Sequence, residues 1–252
     1  MHAIEMQGMS PEFFDCWRAA GEHLNRQVAG GMVSWLRAHP NPPFLEHLSF
    51  RLGNQLFFVR IEDVDGAVEG PGSVRGLAAI AGGCSGHACV LPMRRRGSDG
   101  GWAAAAPGWG LRDAATGAVV DPPALVTDER IAMTRWELHD LGVQLVRGEL
   151  GKQGRRLLSW QGNPDVDPSV WFVGASGKPE WLVVRVATHP APLPTRPANW
   201  DDIARGCRAM GERGHFAAVG LASVGQRALP ATAPAEPLWR GGPVRARFDG
   251  FA

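Results

Sequence analysis

The chain has 252 residues, 26 lysines and arginines against 25 aspartates and glutamates, and 44% apolar residues. This balance belongs to a globular protein and argues against a disordered tail, a fibre or a bundle of membrane spans. Near-neutral charge gives no global field to draw the chain onto nucleic acid or an acidic membrane, so any such binding needs a local patch. The opening residues Met1-His2-Ala3-Ile4 lack the basic flank and apolar run of a secretory signal. Cys16, Cys84, Cys89 and Cys207 are scattered, as reduced, packed thiols are. A cytoplasmic location, with no membrane partner, is therefore expected.

Ser10-Pro11 is a helix start: serine caps orphan amides, and proline fits the first helical position. Phe13, Trp17, Ala20, Leu24 and Val28 then follow at helical spacing, until Gly30-Gly31. Met32 to Trp35 reads as a short strand and His39 to Pro43 as a loop. Leu45 to Arg51 and Gln55 to Ile61 form a predicted hairpin around Gly53-Asn54, a pair that tolerates positive φ. After a glycine-rich, acidic loop, Ser73 opens a helix carrying Val74, Leu77, Ile80, Ala81 and Cys84, and His87 to Met93 reads as a buried strand. Arg94 to Asp121 is rich in glycine and reads as irregular, with Arg94-Arg95-Arg96 in a loop where they are either solvated or in touch with phosphates. Asp121-Pro122-Pro123 through Thr127 marks a domain boundary, giving domains 1–126 and 127–252.

Thr134 and Glu137 form a capping-box pattern for the next helix, with Leu145 and Val146 expected to face inward. Leu157 to Trp160, Ser169 to Val173 and Trp181 to Ala187 are strand candidates. Asn199 is the expected cap of a helix with Trp200, Ile203, Cys207 and Met210 on its apolar side. Phe216 to Ala222 is a further strand, residues 224–237 a linker, and Val244 to Phe248 a last strand. Each half thus reads as helix, three strands, helix, strand, an α/β (α+β) module.

The two halves also share landmarks. Trp35 recurs as Trp160 and Arg60 as Arg185, each 125 residues on, and Gly86-His87 recurs as Gly214-His215, 128 residues on. We read this as a tandem duplication whose halves pack as an internal pseudo-dimer. Arg60 and Arg185 each interrupt an apolar strand, where an arginine is either paired with a carboxylate or offered to an anionic ligand or protein partner. His87 and His215 stand at strand entrances, as ligand-binding groups or as bonded residues closing the turn from the helix, with the preceding glycine ending the helix at positive φ. Cys84, His87 and Cys89 are three zinc-capable side chains without a second ligand pair, so no metal site is assigned to them.

That element order, with Glu137 on the first helix, Asp167 before the second strand and Arg185 on the third, resembles the PD-(D/E)XK, restriction-endonuclease-like family. In that family an acidic residue on the first helix, an aspartate and a Glu-x-Lys pair gather around magnesium. The resemblance implies a nuclease site at Glu137, Asp167, Glu180 and Arg185. However, Val183 occupies the glutamate position, and an aliphatic side chain does not bind a hard cation. In the first half Phe58, Arg60 and Pro42 stand at the corresponding positions. The leading expectation is a non-catalytic binding or scaffolding protein without cofactor, made of degenerate repeats. Its rivals are a magnesium-dependent nuclease and an assembly component docking through Trp109 and Trp239.

Overall fold

The structure is a computed structural model, and it describes residues 10–32, 35–37, 47–97, 100–224 and 236–251. It divides into two units, Met1–Glu129 and Arg130–Ala252. Both are mixed α and β, and among the described residues no helix is long and apolar enough to cross a membrane.

The first unit opens with α1 (Pro11–Arg26). Ser10 Oγ accepts the Phe13 amide at 3.1 Å, and Pro11 takes a position whose amide would have no intrahelical partner. Phe13, Cys16, Trp17, Ala20 and Leu24 form one buried face, at steps of three and four residues. That face packs on Leu48, Phe50, Phe57, Val59 and Ile61 of a sheet, where each large apolar side chain contributes about 1.5–3 kcal/mol by burial. The strands are β1 (Trp35–Arg37), β2 (Leu48–Leu52) and β3 (Gln55–Asp63), paired antiparallel. Helix α2 (Val74–Gly83), capped by Ser73, then crosses over to β4 (His87–Arg96), which lies parallel to β3. A parallel pair needs such a crossover because no tight turn can join it.

The hairpin turns at Gly53-Asn54 as expected, but only Gly53 has positive φ, at 56°. Asn54 serves differently. Its amide donates to Thr127 Oγ1 and to the Glu129 carbonyl, both at 2.8 Å, and its Oδ1 accepts the Thr127 amide at 3.2 Å. These bonds hold residues 127–129 to the first unit, so the division falls after Glu129.

The described residues between 94 and 121 form more regular structure than their composition suggests. They form β5 (Gly101–Ala104), β6 (Leu111–Asp113) and β7 (Val119–Val120), followed by α3 (Pro122–Leu125). Strands of two to four residues are too short to show alternation, and their order comes from β4. That long strand pairs with β6 at Cys89 and Val90 and with β5 from Met93 to Arg96. Arg94, Arg95 and Arg96 therefore end a strand rather than lie in a loop. The sheet order is β1-β2-β3-β4-β6-β7, with β5 on the far end of β4.

The second unit begins with α4 (Arg135–Lys152), whose capping box is complete: Thr134 Oγ1 accepts the Glu137 amide, and Glu137 Oε2 accepts the Thr134 amide. Val146 is buried, but Leu145 is 37% exposed because the inward stripe runs through Val143, Val146 and Leu150 instead. Then come β8 (Leu157–Trp160), β9 (Val170–Val173), β10 (Pro179–Thr188), α5 (Trp200–Cys207), β11 (Arg213–Ser223) and β12 (Val244–Phe248). The sheet order is β12-β11-β10-β9-β8. Asn199 makes no side-chain cap bond, and α5 ends before Met210, which is left 62% exposed. The expected loop at 39–43, with Pro42 and Pro43, and residues 225–235 of the expected linker lie outside the described residues, as does Ser34.

Both units place three antiparallel strands, a crossover helix, a parallel strand and an antiparallel neighbour in the same order. The registers agree as well. Phe57 lies opposite His87 and Arg60 opposite Val90, while Leu182 lies opposite His215 and Arg185 opposite Ala218. Gly86 and Gly214 do not have positive φ. They are glycines because a Cβ would strike Phe58 at 2.8 Å in one case and overlap the Trp181 indole in the other.

Two outcomes follow from this packing. Asn54→Ala is expected to cost about 1–3 kcal/mol in urea unfolding, through the orphaned groups of 127–129, and to speed proteolysis between Val126 and Arg130. Burial raises the thiols of Cys16 and Cys89 to about 12 and that of Cys207 to about 11. The unfolded chain ionises these thiols first, so their contribution is complete below the ordinary value of 9.0 and is lost as pH climbs toward 11–12. All four cysteines are buried and outside any disulfide, and a thiol reagent at about pH 8 is expected to titrate none in the native protein and all in denaturant.

Candidate functional site

Alternation along β10 sorts its residues onto two faces. Leu182, Val184 and Val186 pack toward α4 with Ala217, Val219 and Leu221, while Trp181 and Val183 pack toward α5 with Cys207 and Phe216. Arg185 shares the face of Trp181 and Val183, and Glu180 the opposite one. The four residues implied by the nuclease resemblance are accordingly held in three separate clusters.

Glu137 is buried against Arg240. The guanidinium Nε donates to Oε1 and Nη2 to Oε2, both at 2.9 Å, and the two side chains are 5% and 1% exposed. With the capping box, this pair uses both carboxylate oxygens. Removing one partner of such a pair costs about 3–5 kcal/mol, because the other charge stays buried.

Asp167 and Arg185 do meet. Nη1 donates to Oδ1 at 2.8 Å and Nη2 to Oδ2 at 2.5 Å, a bidentate fork with side chains 14% and 25% exposed. Glu180, about 16 Å along the strand from Arg185 at the usual rise, accepts from His215 Nε2 at 2.6 Å beside the Phe172 ring. A magnesium ion would have to take Asp167 from Arg185 and Glu137 from Arg240, so the residues as placed do not fit that ion. Among the described residues no group of three histidine, cysteine, aspartate or glutamate side chains is arranged to hold a metal, the Cys84, His87 and Cys89 cluster included.

The cleft of the second unit opens where β9 and β10 part. Their pairing runs from Pro179 to Leu182, after which the Val184 amide donates to Ser169 Oγ at 3.2 Å. The Val184 carbonyl accepts from Arg185 and lies 3.1 Å from His139 Nε2. A space of about 260 Å3 follows, lined by Arg135, Leu138, His139, Pro164, Arg185, Val186 and Thr188. His139 is buried between two carbonyls, Gly162 at 2.9 Å from Nδ1 and Val184 at Nε2, and a neutral imidazole donates to only one of them. Arg135 is different. Its 2.9 Å contact with Asp165 joins side chains 73% and 69% exposed, and such a surface pair contributes only about 0–1 kcal/mol.

The matching residues of the first unit are arranged in parallel. His87 Nε2 meets Gln55 Oε1 at 3.0 Å and stacks on Phe57, as His215 meets Glu180, with Gln55 and Glu180 also 125 residues apart. Both histidines thus bond a side chain on the neighbouring strand. Arg60 donates to Glu62 Oε1 and to the carbonyls of Pro71 and Gly70, with its side chain 11% exposed. Of the two strand arginines, then, Arg185 is the one at an open cleft. Trp109 is half-buried and stacks on Phe50, and Trp239 is half-buried with Arg130 over its ring.

Residues 136–252 match a family described as Domain of unknown function (DUF8840). No curated protein and no solved structure matches the chain. The matched segment contains Glu137, His139, Arg185 and Arg240 but starts one residue after Arg135.

Sequence reasoning missed Arg240, His139, Arg135 and Asn54. The histidine two residues after the capping Glu137 offered a signal, since it precedes the buried Val143, Val146 and Leu150 at steps of four, three and four residues. Arg240 offered none, being 103 residues from its partner. Because Gln55 supports His87 without a charge, Glu180→Gln is expected to change the melting temperature little. Glu180→Ala, by orphaning His215, is expected to cost about 1–3 kcal/mol in the same scan.

Proposed function

We propose that the chain is a non-catalytic binding protein made of two degenerate endonuclease-like repeats, and that its second repeat takes a carboxylate- or phosphate-bearing ligand in the cleft beside Arg135, His139 and Arg185. The observation that carries this reading is the contrast in how the charges are spent. Glu137 and Asp167, the groups a metal would require, are each committed to a guanidinium in buried or half-buried forks. Arg135, at the mouth of the same cleft, is tied only by an exposed pair that an incoming anion can replace at little cost. Arg185, fixed by Asp167, is a rigid side of the cleft whose charge that carboxylate balances, which leaves Arg135 as the cation an anion can reach. The shared strand order and registers support the duplication, which is part of the proposal.

One observation favours a second reading. Asp167 and Arg185 are adjacent at the parting of β9 and β10, and the resembled family keeps an aspartate and a basic residue together at its metal site. The two readings separate in one set of measurements. Calorimetric titration with inorganic phosphate is expected to give binding that Arg135→Ala weakens about tenfold. A short DNA duplex incubated with manganese is expected to stay intact. Cleavage by the wild type that Asp167→Ala abolishes would replace the binding reading with the nuclease, and unaltered phosphate binding in Arg135→Ala would remove this cleft from it.

A further inference from the structure

The run Arg94-Arg95-Arg96 ends on a second opening, in the first unit, that the function proposed above does not use. Its volume is about 260 Å3. One wall is the C-terminal half of α1, where Ala19, His23 and Arg26 lie on one helix face at steps of four and three residues. Arg96, at the end of β4, and Trp102 to Pro107, running through β5 and beyond, form the rest. Two guanidiniums, Arg26 and Arg96, thus line the opening from two different elements, and among the described residues no carboxylate lines it, while burial holds the His23 imidazole below its ordinary value.

The cations differ in how they are held. Arg26 reaches Glu22 only at 4.0 Å, with both side chains more than half exposed. No described carboxylate lies within ion-pair distance of Arg96, which is exposed. His23 Nε2 lies 3.2 Å from the Trp109 carbonyl, so that ring is anchored rather than swinging. Arg95 lies over the Trp102 ring at 5.2 Å and braces the indole. The remaining wall, Ala103 to Ala106 and Pro107, is short and apolar, leaving room beside the cations.

We propose that this opening is a binding site for a small organic phosphate, with the phosphate held between Arg26 and Arg96 and the apolar body lying against Trp102 and the alanine wall. Two guanidiniums suit a dianion, since each fork of N–H donors can take a pair of phosphate oxygens. The volume lies just below the usual range of about 300–1,000 Å3 for ligand clefts, which favours a compact monoester over a polymer. The site lies wholly within the first unit and shares no residue with the cleft at Arg135, so the two proposals stand or fall separately.

Phenyl phosphate and inorganic phosphate are suitable probes, titrated calorimetrically into the full chain. Phenyl phosphate is expected to bind about tenfold more tightly than inorganic phosphate, and Arg96→Gln and Arg26→Gln are each expected to weaken it by about tenfold or more. Both arginines are exposed, so neither change should disturb folding, and circular dichroism checks that it does not. The titrations are made in the Arg135→Ala background, which weakens the second-unit cleft, and there Arg94→Gln, outside the lining, is expected to leave phenyl phosphate binding unchanged. Equal affinity for the two probes would remove the apolar half of the site and overturn the proposal. So would absence of binding at millimolar concentration, a loss in Arg94→Gln as large as that in Arg96→Gln, or indifference to both Arg26→Gln and Arg96→Gln.

Discussion

Each unit depends on one parallel strand pair, β3 with β4 and β10 with β11, which a helix must cross to complete. No short turn can close such a pair, so the crossover fixes both the direction and the register of the fourth strand. Once Phe57 is set opposite His87 and Leu182 opposite His215, alternation decides the rest. The histidines fall on the faces of α1 and α4, and Arg60 and Arg185, three residues beyond Phe57 and Leu182, fall on the opposite faces. The chemistry available to each face follows from that register, because Glu180 and Arg185 belong to one strand yet never share a side of it.

The distribution of charge follows a second rule. Where a charged side chain points into an apolar layer it is consumed by a partner: Glu137 by Arg240, Asp167 by Arg185, Arg60 by Glu62 and two carbonyls. The desolvation of each would otherwise outweigh what the fold gains by burying it. Cations at the rims, Arg135, Arg26 and Arg96, are held by exposed pairs or by no described carboxylate. The opening at Arg135 and the one at Arg26 and Arg96 sit where such rim cations stand.

Much of the fold was legible because its signals are local. Ser10-Pro11, the Thr134 to Glu137 box, the Gly53 turn and the apolar runs of β3, β4, β10 and β11 announce themselves within a few residues. The short strands β5 to β7 were not legible, since runs of two to four residues show no period; β5 and β6 pair because β4 is long enough to receive both, and β7 pairs with β6. Gly86 and Gly214 were read correctly as special positions but for the wrong reason, as the constraint is a neighbouring aromatic ring and not a backbone angle. The site was legible in part. Arg185 and Asp167 were singled out together and do meet, whereas the partner of Glu137 lies 103 residues away and no sequence pattern links them.

The contacts of Arg240 reach beyond its ion pair. Its amide donates to the Ile131 carbonyl at 2.9 Å, the Met133 amide donates to the Leu238 carbonyl at 2.7 Å, and Ala132 bridges to Trp239. The strand entering the second unit and the segment leading into its last strand are thus stitched side by side. Neither can fray alone, because loosening 131–133 would leave the Arg240 backbone unpaired and unseat the guanidinium that neutralises Glu137. The unit is latched at its own doorway, which makes its opening an all-or-none event rather than a gradual peeling from one end.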